Sequence, residues 1–178
     1  MHTINAKERD NIIYKAIQGL PQAHARIKGS KEYPDIRGNV YLYEVYNGTV
    51  LLGELMGIPE ELEKKYGGFF GFHIHEGNAC TGDSQDPFAD TKGHYNPEKE
   101  EHPRHAGDLP PVLSNDGTAW MEIYTGRFYP MDVVGRTIVL HEMPDDFKTQ
   151  PSGDSGMKIA CGEIKAWEQE CKNKNGNE

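Results

Sequence analysis

The stretch VYLYEVYNGTVLLGELMG, from Val40 to Gly57, carries the clearest fold signal in the chain. Two apolar runs, YLYEVY and TVLLGEL, flank the dipeptide Asn47-Gly48, which tolerates the positive φ of a tight hairpin turn. Aromatic and β-branched residues on both sides of such a dipeptide are typical of paired strands. The stretch therefore predicts a β-hairpin that turns at Asn47-Gly48.

Apolar and polar residues alternate in several other short runs, and a period of two indicates half-buried strands. We predict five further strands, at Ala23–Lys28, Phe69–His75, Thr118–Thr125, Thr137–His141 and Ile159–Ile164. Strands with turn-rich connections favour an antiparallel sandwich or barrel, so the predicted fold class is mainly β.

Three segments interrupt this pattern. Pro59 precedes EELEKKY, which predicts a short exposed helix. Periodicity stops between residues 80 and 93 and again between 95 and 111. Aperiodic segments of this length in a small domain are commonly functional loops.

The composition fits one folded domain and excludes several classes of partner. The chain has 178 residues, and one domain takes roughly 100 to 200. Nineteen Lys and Arg against 28 Asp and Glu give a net charge of −9, so the overall field repels nucleic acid and anionic lipid. An anionic small substrate would need a local positive patch. No apolar run approaches the roughly 18 residues that a membrane span needs.

The two ends of the chain are more polar than its middle. We predict an N-terminal extension at residues 1–20, a folded domain at 21–167 and a polar tail at 168–178. Residues Met1–Asp10 lack the apolar core of a secretory signal, so the chain as given predicts a cytoplasmic protein.

Three cysteines allow at most one internal disulfide. Cys80 follows a predicted strand and Cys161 lies in the last one, which makes these two the best candidates. Cys171 lies in the polar tail and is expected to be a free thiol.

Two histidines alternate with apolar residues in GFHIHEGNAC. Because side chains alternate across a strand, His73 and His75 share one face while Phe72 and Ile74 point to the other. An HxH pair is a weak motif, and two polar residues on the wet face of a strand would also explain it. Two imidazoles on one face equally suit a metal such as copper or zinc.

A denser cluster of metal-binding residue types lies in GHYNPEKEEHPRHAGDLP. It comprises His94, His102, His105 and Asp108. Three imidazoles and a carboxylate match the ligands of a tetrahedral zinc ion. The alternative is an exposed loop with solvated histidines. Such a loop has little apolar material to order it, and a metal would supply that free energy.

His141 ends the apolar run TIVLH of another predicted strand. It fits an ordinary strand-end histidine equally well as a third imidazole beside His73 and His75. A fourth ligand would then complete the tetragonal arrangement that copper prefers.

Taken together, these stretches resemble the copper/zinc superoxide dismutase family in its bacterial form. The resemblance rests on GFHIHEGNAC, GHYNP, HAGDLP, GRTIVLHE and ACGEI, in this order between Gly71 and Ile164. It implies an eight-stranded Greek-key antiparallel β-barrel with two long functional loops. It also implies the disproportionation of superoxide to O2 and H2O2 in a two-step redox cycle at a histidine-bound copper that is bridged to zinc.

Position by position, the resemblance implies two metal sites that share one residue. Copper would be bound by His73, His75, His94 and His141, and zinc by His94, His102, His105 and Asp108. His94 would bridge the two metals as an imidazolate and carry a proton during catalysis.

The resemblance also implies roles outside the two ligand sets. Asp145 would accept the outer N–H groups of one copper and one zinc histidine. Cys80 and Cys161 would form the intrasubunit disulfide. The substrate would be superoxide, with no nucleic acid or membrane partner, and the protein would be a monomer or a homodimer.

Two departures from the family pattern bear on activity. Lys158, in GMKIACG, stands where the family has an active-site arginine, so the charge is kept but the rigid fork of donors is lost. Lys158 is the first candidate for attracting superoxide and Lys148 the second. In addition, only two residues separate His102 from His105, a short zinc loop. Both departures favour an alternative, a dismutase-like copper- and zinc-binding protein without efficient turnover.

Overall fold

A computed structural model of the protein describes residues 17–168. Most of the predicted N-terminal extension and nearly all of the polar tail, with Cys171, lie outside the described residues. The domain boundaries at residues 21 and 167 therefore stay predictions.

Antiparallel strands dominate the described residues, and the mainly β prediction is confirmed. Nine strands are present in this part of the chain: β1 (Ala23–Gly29), β2 (Arg37–Val45), β3 (Gly48–Met56), β4 (Phe69–Phe70), β5 (Phe72–His75), β6 (Val112–Asn115), β7 (Thr118–Thr125), β8 (Thr137–His141) and β9 (Lys158–Ala166). The helix expected after Pro59 is also confirmed, as α1 (Glu60–Tyr66). Within residues 17–168 it is the one α-helix whose first and last residues are both described. No helix in this range is long and apolar enough to cross a membrane.

The sheet curves into a barrel that is nearly closed, and its gap lies at Gly71. The strand order is β4-β6-β7-β3-β2-β1-β9-β8-β5, and its two end strands follow each other in the chain with only Gly71 between them. Connections from β3 to β4 and from β7 to β8 link strands that are not neighbours, as in a Greek key. The result is a nearly closed β-barrel.

The single strand predicted at Phe69–His75 was wrong in one respect. The chain changes partner at Gly71, because β4 pairs with β6 whereas β5 pairs with β8. A Cβ atom at Gly71 would lie 2.9 Å from Ser155 Oγ, so a larger residue would collide there. This break accounts for one strand more than the eight expected.

The hairpin of β2 and β3 is confirmed, but its turn lies one residue earlier than predicted. Val45 pairs with Gly48, which leaves Tyr46 and Asn47 as the two-residue loop. The positive φ, 49°, belongs to Tyr46. Gly48 is needed for a different reason, since a Cβ atom there would lie 2.1 Å from the carbonyl oxygen of Thr125.

Strand β6 was missed, because its residues Val112–Asn115 follow directly on a segment that was assigned to loop. It forms a hairpin with β7 through Asp116 and Gly117, whose φ values are 52° and 75°. An Asp-Gly dipeptide between two apolar runs is the sequence signal that could have revealed it.

A continuous apolar core fills the barrel and fixes the strands that carry histidines. Phe72 and Ile74 on β5 and Ile138 and Leu140 on β8 are fully buried in it. Their neighbours along the strands point the other way, as the alternation predicted. The core therefore holds the backbone of His73, His75 and His141 without using these side chains.

Candidate metal centre

Four histidines converge at the end of β5 and β8. His73 and His75 lie on β5, His141 ends β8, and His94 joins them through a backbone bridge to His75. All four are buried, and one ring nitrogen of each lies within 4.8 Å of those of the others. We call this group the four-histidine cluster.

Backbone carbonyls fix the orientation of two of these rings. His75 Nδ1 donates to the carbonyl oxygen of Lys92 at 2.9 Å, and His141 Nδ1 donates to that of Gly156 at 3.4 Å. Because a carbonyl only accepts, both protons are on Nδ1 and both Nε2 atoms present lone pairs. These two Nε2 atoms lie 3.2 Å apart.

Two lone pairs at that distance repel each other and favour a cation between them. Burial, followed by the neighbouring imidazoles, holds the pKa of His75 and of His141 well below the usual range, so neither ring gains a second proton at neutral pH. A metal cation satisfies both nitrogens. The donor set, all imidazole, fits copper.

A second group lies on the loop that follows. Nitrogens of three histidines surround the Asp108 carboxylate: His94 Nδ1 at 2.6 Å, His102 Nδ1 at 3.1 Å and His105 Nδ1 at 3.3 Å. We call the group the loop cluster; its members are His94, His102, His105 and Asp108. All four are buried, which removes the reading of an exposed loop with solvated histidines.

The Asp108 carboxylate is charged in this setting. Burial opposes its ionisation, but the hydrogen bond from His94 and the nearby imidazoles outweigh burial, and its pKa lies below the usual range. His102 Nδ1 and His105 Nδ1 are nevertheless buried without a hydrogen-bond partner. Three imidazole nitrogens and a carboxylate arranged around one point fit a zinc ion.

Asp145 connects the two clusters through one histidine of each. Its Oδ2 accepts from His73 Nε2 at 2.7 Å, and its Oδ1 accepts from His102 Nε2 at 3.0 Å. The inner nitrogens, His73 Nδ1 and His102 Nδ1, are thereby left as buried lone pairs without a partner. Gly153 makes room for this carboxylate, since a Cβ atom there would lie 2.0 Å from Asp145 Oδ1.

The loop cluster is attached to β5 at both ends of its loop. Tyr95 N–H donates to the carbonyl of Ile74 at 2.8 Å, and Ile74 N–H donates to the carbonyl of Gly107 at 2.9 Å. Arg127 also holds the loop, because its guanidinium donates to the carbonyls of Pro103 at 3.1 Å and His105 at 3.0 Å. Sequence reasoning missed Arg127, since no motif marks a side chain that binds only main-chain carbonyls.

The four-histidine cluster opens to solvent through a pocket of about 530 Å³. His75, His94 and His141 are among its lining residues. Its charged lining residues are Lys92, Lys99, Lys158 and Glu76. Lys148, the second predicted candidate for attracting an anion, is exposed and is not among the lining residues. A small anion can therefore reach this cluster.

Lys158 does not present a free charge in this pocket. Its Nζ donates to Asp86 Oδ2 at 2.7 Å and to the carbonyl of Phe88 at 3.2 Å. Asp86 was not predicted, because it lies 72 positions away in an aperiodic loop. The ion pair reduces the field that Lys158 can exert on a substrate.

The predicted disulfide is confirmed. Cys80 and Cys161 are bonded, with their Cα atoms 5.7 Å apart, across a sequence separation of 81. The bond ties the loop that contains Asp86 and Lys92 to β9, the strand that begins at Lys158.

Barrel, clusters and pocket together define a class of protein: a β-barrel with two adjacent side-chain clusters that could each hold a metal ion and that share one histidine. One site is all imidazole and faces solvent, and the other is buried in a loop. Such an arrangement suits redox chemistry on a small anion at the open site.

Comparisons with known proteins give the family. Residues 36–164 match the profile described as copper/zinc superoxide dismutase (SODC). Superoxide dismutase (Cu-Zn) 2 of Aquifex aeolicus is 30% identical over 159 residues, which cover 81% of this chain and 86% of that protein. Superoxide dismutase (Cu-Zn) of Caulobacter vibrioides is 34% identical over 146 residues, 72% of this chain and 78% of that protein.

Solved structures agree on the fold. The Cu/Zn superoxide dismutase of Brucella abortus superposes with a TM-score of 0.66 at 23% identity, over 79% of this chain and 98% of that one. A SOD-like protein of Bacillus subtilis gives 0.65 at 26% identity, over 79% and 96%. The chain belongs to the copper/zinc superoxide dismutase family. It is an oxidoreductase that disproportionates superoxide, with copper and zinc as cofactors.

Proposed function

We propose that the four-histidine cluster holds the copper and the loop cluster holds the zinc of this superoxide dismutase. The observation that carries this assignment is the direction of the ring nitrogens. Outer nitrogens of His73, His75 and His141 donate to protein oxygens, while their inner nitrogens meet in one place. His94 belongs to both groups and is the shared ligand.

In this proposal the chain itself keeps the ligands in place and supplies protons. Bound copper would provide a one-electron couple that takes an electron from one superoxide and returns it to the next, with zinc as a fixed neighbouring charge. His94 Nε2 is buried without a protein hydrogen-bond partner, so it can hold a proton and release it into the pocket. Asp108 keeps the ring from turning, because it engages His94 Nδ1 at 2.6 Å.

Asp145 acts in the proposal through the histidines it touches. Its pKa lies below the usual range, since the hydrogen bonds from His73 and from the Phe147 backbone outweigh the effect of burial. A charged carboxylate at the outer nitrogens raises the basicity of the inner ones. One residue thus couples the orientation of a copper ligand to that of a zinc ligand.

Lys158 is the predicted guide for superoxide, and we propose that it contributes only weakly, because Asp86 pairs with it at 2.7 Å. Lys158 lines the pocket and pairs with His141 across the sheet. Its pairing with Asp86 also favours the second candidate function, a dismutase-like binding protein without efficient turnover. The open pocket over three copper ligands favours the enzyme, because metal storage does not need access for an anion.

Oligomeric state and compartment stay proposals as well. The protein would act as a monomer or a homodimer on superoxide in the cytoplasm. The disulfide by itself favours an oxidising compartment. In the cytoplasm it would persist only if protein packing protects it from reductants. Sedimentation of the purified protein measures the oligomeric state, and fractionation of the natural source measures the compartment.

Metal analysis of single-histidine variants tests the shared ligand. His94→Ala should weaken the binding of both copper and zinc, whereas His73→Ala should weaken copper alone. His24→Ala is the matched control, because His24 lies on β1 outside both clusters. A His94→Ala protein with normal content of either metal would contradict the assignment.

A further inference from the structure

The ion pair of Lys158 leaves the pocket without its expected attraction for anions. Lys158 is largely buried, with 15% of its side chain exposed, and Asp86 neutralises it at 2.7 Å. With a net charge of −9, the rest of the protein repels superoxide at long range. Another cation must supply the local field if the enzyme is to attract its substrate.

Lys92 and Lys99 are the other two cations that line the pocket. Lys99 is flanked by Glu98, Glu100 and Glu101, whose charges oppose its own. Lys92 lies between Thr91 and Gly93, and no carboxylate within residues 17–168 forms an ion pair with it. The carboxylate of Glu76 also lines the pocket and Asp90 lies two positions before Lys92, but neither forms an ion pair with its exposed ammonium.

The backbone of Lys92 has an unusual conformation. Its φ is +62° and its ψ is −147°, a region that is essentially restricted to glycine. The carbonyl of the same residue accepts the hydrogen bond from His75 Nδ1 at 2.9 Å. Glycine would place this carbonyl without strain, so the backbone requirement does not explain a lysine.

We propose that Lys92 is the principal residue that draws superoxide into the pocket, and that its strained backbone combines this charge with the carbonyl that holds His75. One residue then performs two tasks. Its carbonyl positions His75, and its ammonium raises the local concentration of the anion. This role of Lys92 rests on the proposed copper site and deepens it by assigning the source of the attraction.

The first experiment tests the charge of the Lys92 side chain, on protein loaded with copper and zinc. Lys92→Gln should lower the second-order rate with superoxide about two- to threefold at low ionic strength and flatten its decline with added salt. Lys92→Arg should preserve both properties. Lys31→Gln, the same charge change at an exposed position outside the pocket, should leave them unchanged.

Anion binding gives a readout that does not depend on turnover. Titration of the copper(II) spectrum with azide should show about two- to threefold weaker binding in Lys92→Gln than in Lys31→Gln. If the two variants agreed in azide affinity, rate and salt dependence, the role of Lys92 would be overturned. Wild-type copper spectra in both variants confirm that the site itself is intact.

A glycine variant separates the side chain from the backbone. Lys92→Gly keeps the carbonyl that orients His75 and relieves the strain, so the metal-free protein should melt at or above the temperature of Lys92→Gln. It should lose the salt dependence to the same extent. Lys92→Gly with wild-type salt dependence would overturn the proposal. A wild-type copper spectrum in His141→Ala would contradict the copper site itself, and this outcome is distinct from any result at Lys92.

Discussion

The four-histidine cluster and the loop cluster differ in what holds their side chains. Three members of the first lie on β5 and β8, whose ladders and buried neighbours such as Phe72 and Leu140 fix the backbone. Three members of the second, from His102 to Asp108, lie on a loop without regular structure. That loop is held by backbone contacts to β5, by Arg127 and by two hydrogen bonds between Gln150 and the His102 backbone.

This difference predicts different dependence on metal. The barrel core holds the backbone of the four-histidine cluster, so we expect the geometry of the proposed copper site to persist when copper is absent. The loop cluster gathers four buried polar side chains, and a bound ion would offset the cost of their desolvation. Copper should therefore determine activity and zinc should determine stability.

The largest effect is expected at a strand position. His141→Ala should lower dismutation by more than about 100-fold, since even the loss of an outer partner of a metal ligand costs about 10- to 100-fold. The unfolding free energy of the metal-free protein should change by only about 1 kcal/mol, because the lost ring makes one hydrogen bond to the protein. Rate assays and urea unfolding, with His24→Ala as the control, measure both. Retained activity in a copper-deficient His141→Ala protein would break the comparison.

At the loop position the expected effect is on stability. Zinc at about 1,000 times its dissociation constant stabilises a binding protein by about 4 kcal/mol, or about 8 to 16 °C in Tm for a chain of this size. Asp108→Asn should remove most of this zinc-dependent rise and leave copper content near normal. Calorimetry with and without a zinc chelator checks it. An undiminished zinc-dependent rise in the variant would show that the loop does not depend on this ligand.

Removal of the disulfide should moderately lower the stability of the whole domain and loosen the loop that the bond anchors. The double variant Cys80→Ser and Cys161→Ser should lose about 2 to 4 kcal/mol of unfolding free energy, because it frees a long chain segment in the unfolded state. The loop with Asp86 and Lys92 should become more accessible to proteases than the zinc loop. Equal protection of the two loops would mean that the bond does not anchor the first one.

A smaller effect is expected from the partner of Lys158. Asp86→Asn should raise the rate with superoxide about twofold at low ionic strength, because it releases the charge of Lys158 into the pocket. Glu44→Gln, on the exposed side of β2, removes the same charge outside the pocket and serves as the control. Identical rates in the two variants would show that the ion pair does not limit capture.

The smallest effect concerns the turn beside Asp145. Hydrogen bonds from the Thr149 hydroxyl and backbone and from the Lys148 backbone lower the pKa of Asp146 to about 2. Because this pKa is below the unfolded value of 3.8, its contribution to stability is present above pH 4 and is lost as the pH falls toward 2. Asp146→Asn should therefore be less stable than the wild type at pH 6, and the two should converge near pH 2 to 3. A constant difference across this range would rule out the carboxylate as the cause.

Much of the four-histidine cluster follows from sequence, because alternation along a strand determines which residues share a face. His73 and His75 are placed together by this rule alone. The loop cluster was predictable as a set of residue types but not as a geometry. Its arrangement depends on distant contacts from Arg127 and Asp145, which no local pattern encodes.

The errors have physical causes of the same kind. Gly71 and Gly48 are dictated by close approach of another strand or loop, which cannot be read from neighbouring residues. The pairing of Lys158 with Asp86 depends on how two loops fold over β9. Sequence predicted Lys158 as a guiding charge but did not predict its ion pair with Asp86.

The most direct test of the account is anomalous scattering from crystals of the copper- and zinc-loaded protein, recorded at both absorption edges. We predict a copper peak among His73, His75, His94 and His141 and a zinc peak among His94, His102, His105 and Asp108, with the His94 ring between them. A single peak, or two peaks that do not share His94, would contradict the account.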